Sequence, residues 1–114
     1  MFDDREILCG SSRYDKVFYF NPEFEGLPDQ IKKELNIICV LFTEEVGGIL
    51  RMEFDCEGVL HLTVESKEND YLYDEITSGL KIRQMQDEHR QLFESLQTWY
   101  RVFMTGEGWL TEGI

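Results

Sequence analysis

Proline is scarce in this chain of 114 residues: Pro22 and Pro28 are the only two, and they sit close together between two patterned segments. No linker, low-complexity tract or internal repeat accompanies them, so the sequence offers no seam at which to divide it. Cysteine is sparse too. Cys9, Cys39 and Cys56 are odd in number and lack C-x-x-C spacing, which argues against a disulfide framework and for thiols in a reducing compartment. The longest purely apolar run, Ile37 to Phe42, is far too short to span a membrane. The opening Met-Phe-Asp-Asp-Arg-Glu is polar and acidic, unlike a signal peptide. A cytoplasmic protein without a membrane partner is the expectation. Basic residues are the last shortage: 11 Lys and Arg stand against 23 Asp and Glu, a formal net charge of −12. Between Glu44 and Glu75 only Arg51 and Lys67 oppose ten carboxylates, a local net of −8. Nucleic-acid binding needs clustered cations and is therefore disfavoured. If the acidity serves recognition and not only solubility, the partner is a basic protein.

What is present suits one domain. Hydrophobic residues make up 42% of the chain and aromatics 13%, enough for a core without disulfides or metal at this length. Residues 1–106 read as a single α+β domain and 107–114 as a loosely held tail. Short apolar runs at Glu6 to Cys9 and Lys16 to Phe20, separated by Gly10, Ser11 and Ser12, predict a hairpin with a longer loop. Pro28 is placed to open a helix. Ile31, Leu35, Ile38, Phe42 and Val46 then recur at helical spacing, widened by Ile37 and Leu41, until Gly47-Gly48 stops the pattern. That helix is expected to be largely buried.

Leu50, Met52 and Phe54 alternate with polar residues, as do Leu60, Leu62 and Val64, across the turn sequence Asp55-Cys56-Glu57-Gly58. Placing Asp55 opposite Val59 pairs Phe54 with Leu60, Met52 with Leu62 and Leu50 with Val64. All six apolar side chains then share one face. Leu72, Ile76 and Leu80 return to helical spacing. A second stripe, Ile82, Met85, His89, Leu92, Leu96, Trp99 and Phe103, takes over beyond a phase shift at Ser78-Gly79, with Phe93 and Tyr100 beside it. A short helix followed by a long one, or one kinked helix, is predicted, ending at Gly106. The element order implies a two-layer α+β sandwich: an antiparallel sheet of about four strands with helices packed on one face.

Signatures of chemistry are missing. His89 occupies a core-like position, and His61, set opposite Glu53, reads as one half of an exposed cross-strand pair. The many acidic pairs form no D-x-[DN]-x-[DN]-G loop, and both Gly pairs follow helices without a nearby Lys. No enzyme, metal or cofactor is implied. The feature that suggests binding is the segment Glu65, Glu68, Asp70, Tyr71, Tyr73, Asp74 and Glu75, which mixes carboxylates with tyrosines. The alternative reading of those acids is a solvated loop and a helix start whose dipole favours negative charge. The aromatic stripe of the last helix is a second candidate, as a homodimer contact.

The stretch Glu34-Leu-Asn-Ile-Ile-Cys-Val-Leu-Phe-Thr-Glu-Glu-Val-Gly-Gly-Ile-Leu, with Asp70-Tyr-Leu-Tyr-Asp-Glu-Ile, resembles a family of short acidic bacterial proteins known only as a domain of unknown function. The resemblance implies a cytosolic bacterial protein and carries no activity. In the order helix, acidic hairpin, long aromatic helix, the chain also has a looser topological likeness to small immunity proteins that neutralise a toxin of the same cell. The expected function is a non-enzymatic protein-binding module, immunity or inhibitor-like, presenting Glu65 to Glu75 to a basic protein. The alternative is a homo-oligomeric structural or accessory subunit joined through the last helix.

Overall fold

The computed structural model describes residues 5–105; the tail expected over 107–114 lies outside them. Strands β1 (Glu6–Ser12) and β2 (Val17–Phe20) form a hairpin, and a 3-10 turn at Pro22–Phe24 leads into helix α1 (Asp29–Val46). A second hairpin, β3 (Ile49–Phe54) and β4 (Leu60–Glu65), precedes helices α2 (Glu75–Glu88) and α3 (Arg90–Tyr100), and α3 runs on into one π-helical turn at Arg101–Thr105. The strands make one antiparallel sheet in the order β2-β1-β3-β4. The fold is the α+β arrangement that the alternation predicts, with α1 and α3 on the face carrying Leu50, Met52 and Phe54.

The β3–β4 register is the expected one: Leu50 faces Val64, Met52 faces Leu62 and Phe54 faces Leu60. Gly58 holds φ +82° at the end of its turn, and the Asp55 carboxylate accepts the N–H groups of Glu57 and Val59 at 2.9 and 3.0 Å. An L side chain would be strained at that φ, so the glycine sets where the strand reverses.

The first hairpin differs from its expected form. Gly10, Ser11 and Ser12 are strand residues, and the turn lies at 13–16. Small size explains their place. A Cβ on Gly10 would stand 2.6 Å from the Leu50 carbonyl oxygen of the neighbouring strand. On the opposite face, the buried Ser11 hydroxyl donates to the Cys39 carbonyl of α1 at 2.8 Å and lies 3.1 Å from Thr43 Oγ1. Cys9 and Cys39 meet across the same seam with their sulfurs 3.9 Å apart, both fully buried. Mutual hydrogen bonding and then burial push the Cys9 thiol well above the ordinary thiol range.

Helix α1 is half-buried where a largely buried helix was expected. Pro28 precedes it as the cap residue, and Leu35, Ile38, Cys39 and Phe42 enter the core, but Ile37 and Leu41 are 57% and 61% exposed. The far end of the core is aromatic. Asn21 caps the 3-10 turn by accepting the Glu23 N–H, which drops Phe24 into the interior. Phe24 stacks with Phe54 and Tyr100, and the Phe54 and Tyr100 ring centroids are 4.3 Å apart. Phe93 and Tyr100 are thus core residues, 7% exposed each, and the excess width of the last aromatic stripe is absorbed within the chain. The helix break falls at His89 (φ −115°, ψ 27°) and not at Ser78-Gly79. Gly79 is an interior helical residue. The phase shift in the sequence separates two faces of one helix, since Ser78 and Met85, seven residues apart, point inward while Ile76 and Leu80 do not, and Leu72 precedes the helix.

Candidate interaction surface

The connection from β4 to α2 contains every residue that the sequence nominates for partner binding, and much of it is organised by its own hydrogen bonds. Glu65, at the end of β4, pairs with Arg51 across the ladder at 2.8 Å. A turn follows in which the Asp70 N–H donates to the Lys67 carbonyl at 3.0 Å. Tyr14, from the first hairpin, anchors this turn. Its hydroxyl donates to Asp70 Oδ2 at 2.6 Å and accepts the Lys67 N–H at 3.1 Å, and Lys67 Nζ lies 4.7 Å from the Tyr14 ring centre. Donation to the Asp70 carboxylate, followed by desolvation, raises the Tyr14 phenol above its ordinary range.

Asp74 is the N-cap of α2. Its carboxylate accepts Thr77 Oγ1 at 2.7 Å and the Ile76 N–H at 3.0 Å, and these bonds, Thr77 first, hold it below the usual carboxylate range. Tyr73 turns inward. Its hydroxyl donates to the buried Ser78 Oγ at 2.8 Å, and its ring lies so near Gly48 that a Cβ there would stand 3.0 Å from it.

Glu65, Asp70, Tyr73 and Asp74 therefore have structural roles, while Glu68, Tyr71 and Glu75 face outward. The structure adds a set that the sequence placed only at helical spacing. Leu72, Ile76 and Leu80 are 96%, 77% and 61% exposed, and Tyr71 is 91% exposed. Ile76 and Leu80, one turn apart, make an apolar ridge on the N-terminal half of α2, and Tyr71 and Leu72 extend the exposed apolar stretch into the turn before it, with Glu68 and Glu75 exposed alongside in sequence. Spacing carries one hint of this. The positions that would widen the stripe, Glu75, Gly79 and Arg83, are not apolar, and a stripe one residue wide cannot seat a helix on a core. Tyr14 had no comparable sequence signal.

Among the described residues no three of His, Cys, Asp and Glu come together to hold a metal ion, and no described helix is long and apolar enough to cross a membrane. His61 bonds to Asp55 Oδ2 at 2.8 Å in place of Glu53, the residue opposite it, and Glu53 instead lies 3.7 Å from Arg5. The imidazole is the leading reason the Asp55 carboxyl sits below its ordinary range. His89, at the break between α2 and α3, lines a groove of about 220 Å³ between α1 and α2 with Leu41 and Met85, and the Lys81–Glu45 pair bridges the two helices at 2.5 Å.

No curated protein and no solved structure matches the chain. A family model does match, over residues 5–108, and by that match the chain belongs to DUF6145, a family of unknown function.

Proposed function

We propose that this chain is a non-enzymatic protein-binding module, of the immunity or inhibitor kind, whose contact surface is the ridge from Glu68 to Leu80. One observation carries the reading: four large apolar or aromatic side chains within ten residues, Tyr71, Leu72, Ile76 and Leu80, stand in solvent on a segment anchored by the hydrogen bonds of Tyr14, Asp74 and Tyr73. A rigid aromatic and aliphatic cluster with a charged rim is the anatomy of a binding hot spot. Glu68 and Glu75 at its edge favour a partner whose own apolar surface is bordered by Lys and Arg. Self-association is disfavoured, because two copies would bring together surfaces drawn from a chain of net charge −12. The reading in which copies join through the last helix draws its support from Phe103, 67% exposed with its ring 5.4 Å from that of Trp99.

The test is capture from lysate of the producing cell, at low and high salt, by the wild-type chain and by a Leu72→Ser/Ile76→Ser/Leu80→Ser variant. A single basic protein held by the wild type at low salt, released by salt and not held by the variant, is the expected result. The variant is expected to stay folded with at most a small drop in thermal midpoint, because it removes largely exposed apolar groups and lowers helix propensity only at residues 76 and 80. Equal capture by both chains would refute the ridge. A wild-type dimer in light scattering that the variant abolishes would assign the ridge to a second copy.

A further inference from the structure

The face of α2 next to Ile76 and Leu80, which carries Glu75, Gly79 and Arg83, looks toward a strand edge that the protein leaves open. Backbone direction along β4 follows from the hairpin. The Asp55 N–H donates to the Val59 carbonyl at 3.0 Å, so these two form a hydrogen-bonded pair. Antiparallel pairing alternates, and His61, Thr63 and Glu65 therefore direct their N–H and C=O groups at β3. Leu60, Leu62 and Val64 direct theirs away from it. The Leu60 N–H confirms the direction, because it donates to the Gln97 side chain of α3 at 2.8 Å. Beyond Leu60, β4 has no neighbouring strand on that side among the described residues.

Beside this edge lies a groove of about 640 Å³, bounded by Val64 to Ser66 on one side and α2 on the other, within the range of about 300–1,000 Å³ typical of ligand sites. Its α2 wall is low in the middle, where Ser78 and Gly79 stand, and a Cβ on Gly79 would meet nothing within 4 Å. Tyr73 closes one end, Val64 and Ile82 supply apolar surface, and Glu65, Glu75 and Arg83 supply charge. A strand edge walled by a helix, with donors and acceptors spaced about 6.8 Å apart along the edge, is suited to adding an extended segment as a further strand.

We infer that the groove between β4 and α2 binds an extended peptide of about four residues, which pairs with the backbone of Val64 in the groove and of Leu62 further along the same open edge, and sets a Lys or Arg beside Glu75. Acidic surroundings select the occupant: the stretch from Glu44 to Glu75 has a net charge of −8, which repels a second acidic copy and attracts a basic peptide. This site adjoins the exposed ridge and shares Glu75 with it, but Ile76 and Leu80 do not line the groove.

The probe is a phage-displayed library of random seven-residue peptides selected on the full chain, with the enriched sequences synthesised with blocked ends. Three results are expected. Enriched peptides carry a basic residue and shift the amide resonances of Leu62, Val64 and Gly79. Gly79→Leu, whose Cβ enters space empty to 4 Å, weakens them at least tenfold while the chain keeps its circular dichroism and melts no lower than the wild type. Methylation of one paired peptide amide weakens them to a similar degree, and Ile76→Ser leaves them unchanged. Failure of the library to yield any sequence that prefers the wild type to Gly79→Leu overturns the inference. Shifts confined to the ridge overturn it as well, and so does a dimer that protects the Leu62 and Val64 amides without peptide.

Discussion

Replacing Gly79 by Ala isolates the backbone contribution of α2 from everything else in the molecule. Gly79 lies inside the helix at no unusual φ, and the added methyl would touch nothing within 4 Å. The change thus removes conformational freedom from the unfolded chain and adds neither packing nor strain. Helix propensity puts the gain at about 0.8–1.0 kcal/mol. For a domain of this size that gain raises the thermal midpoint by about 3–6 °C, and it moves a urea midpoint upward by about 0.3–1 M without changing the slope. Gly10→Ala is the opposing control. The same methyl placed there would come within 2.6 Å of the Leu50 carbonyl oxygen in the next strand. Backbone on both sides cannot yield as a side chain would, so a loss of about 1–3 kcal/mol is expected. Both variants are read by urea titration and calorimetry of the purified chain. If Gly79→Ala fails to stabilise, α2 is not formed as a regular helix through residue 79, and the ridge and the groove built on it both lose their footing. If Gly10→Ala is neutral, β1 and β3 do not approach as closely as described.

Thiol labelling separates the cysteines. Cys56 is exposed at the tip of the second hairpin, whereas Cys9 and Cys39 are fully buried, so a disulfide reagent should titrate one thiol in the native chain and three in denaturant; fast reaction of a second native thiol would contradict the seam between β1 and α1. The acid limb of stability tests the α2 cap. A carboxyl held low in the folded state stabilises fully above its unfolded value of about 3.9 and loses that contribution as pH falls through the folded value. Asp74 is held low, so Asp74→Asn, which keeps a capping side chain but cannot titrate, should flatten the decline of the thermal midpoint below about pH 4. An unchanged decline would show that the Thr77 and Ile76 bonds do not bias its ionisation.

The second hairpin was fully legible because two independent signals agree on it. Alternation at Leu50, Met52 and Phe54 and at Leu60, Leu62 and Val64 admits only registers that keep one face apolar, and Gly58 three residues after Asp55 selects one of them. The first hairpin was legible only in outline, since Gly10-Ser11-Ser12 is also a good turn sequence. What makes it strand is long-range: β3 passes too close for a side chain at Gly10, and α1 lies across Ser11 near enough to take its hydroxyl. Neither contact is encoded in nearby residues. The break at His89 was hidden for a related reason. The stripe from Ile82 to Phe103 continues smoothly through it, and only the packing of Phe93 and Tyr100 on the sheet shows that the helix must change direction there.

The candidate surface shows the same limit from the opposite side, because composition overstated its charge and periodicity understated its apolar content. Of the five carboxylates first assigned to a partner, Glu65, Asp70 and Asp74 already accept bonds from Arg51, Tyr14 and the start of α2. Arg51 offsets the charge of Glu65, and Asp70 and Asp74 keep theirs while their geometry is fixed by neutral donors, which leaves Glu68 and Glu75 as the carboxylates free to meet a partner directly. The spacing of four at Leu72, Ile76 and Leu80 left their burial open, because it is shared by buried and exposed stripes and only the width of a stripe distinguishes them. The balance of forces at this surface is accordingly different from the one that net charge suggests. Desolvation of Tyr71, Leu72, Ile76 and Leu80 supplies the affinity, and the two outward carboxylates set the rate and selectivity of encounter. The three committed acids hold that ridge in place before a partner arrives, which lowers the ordering cost of binding.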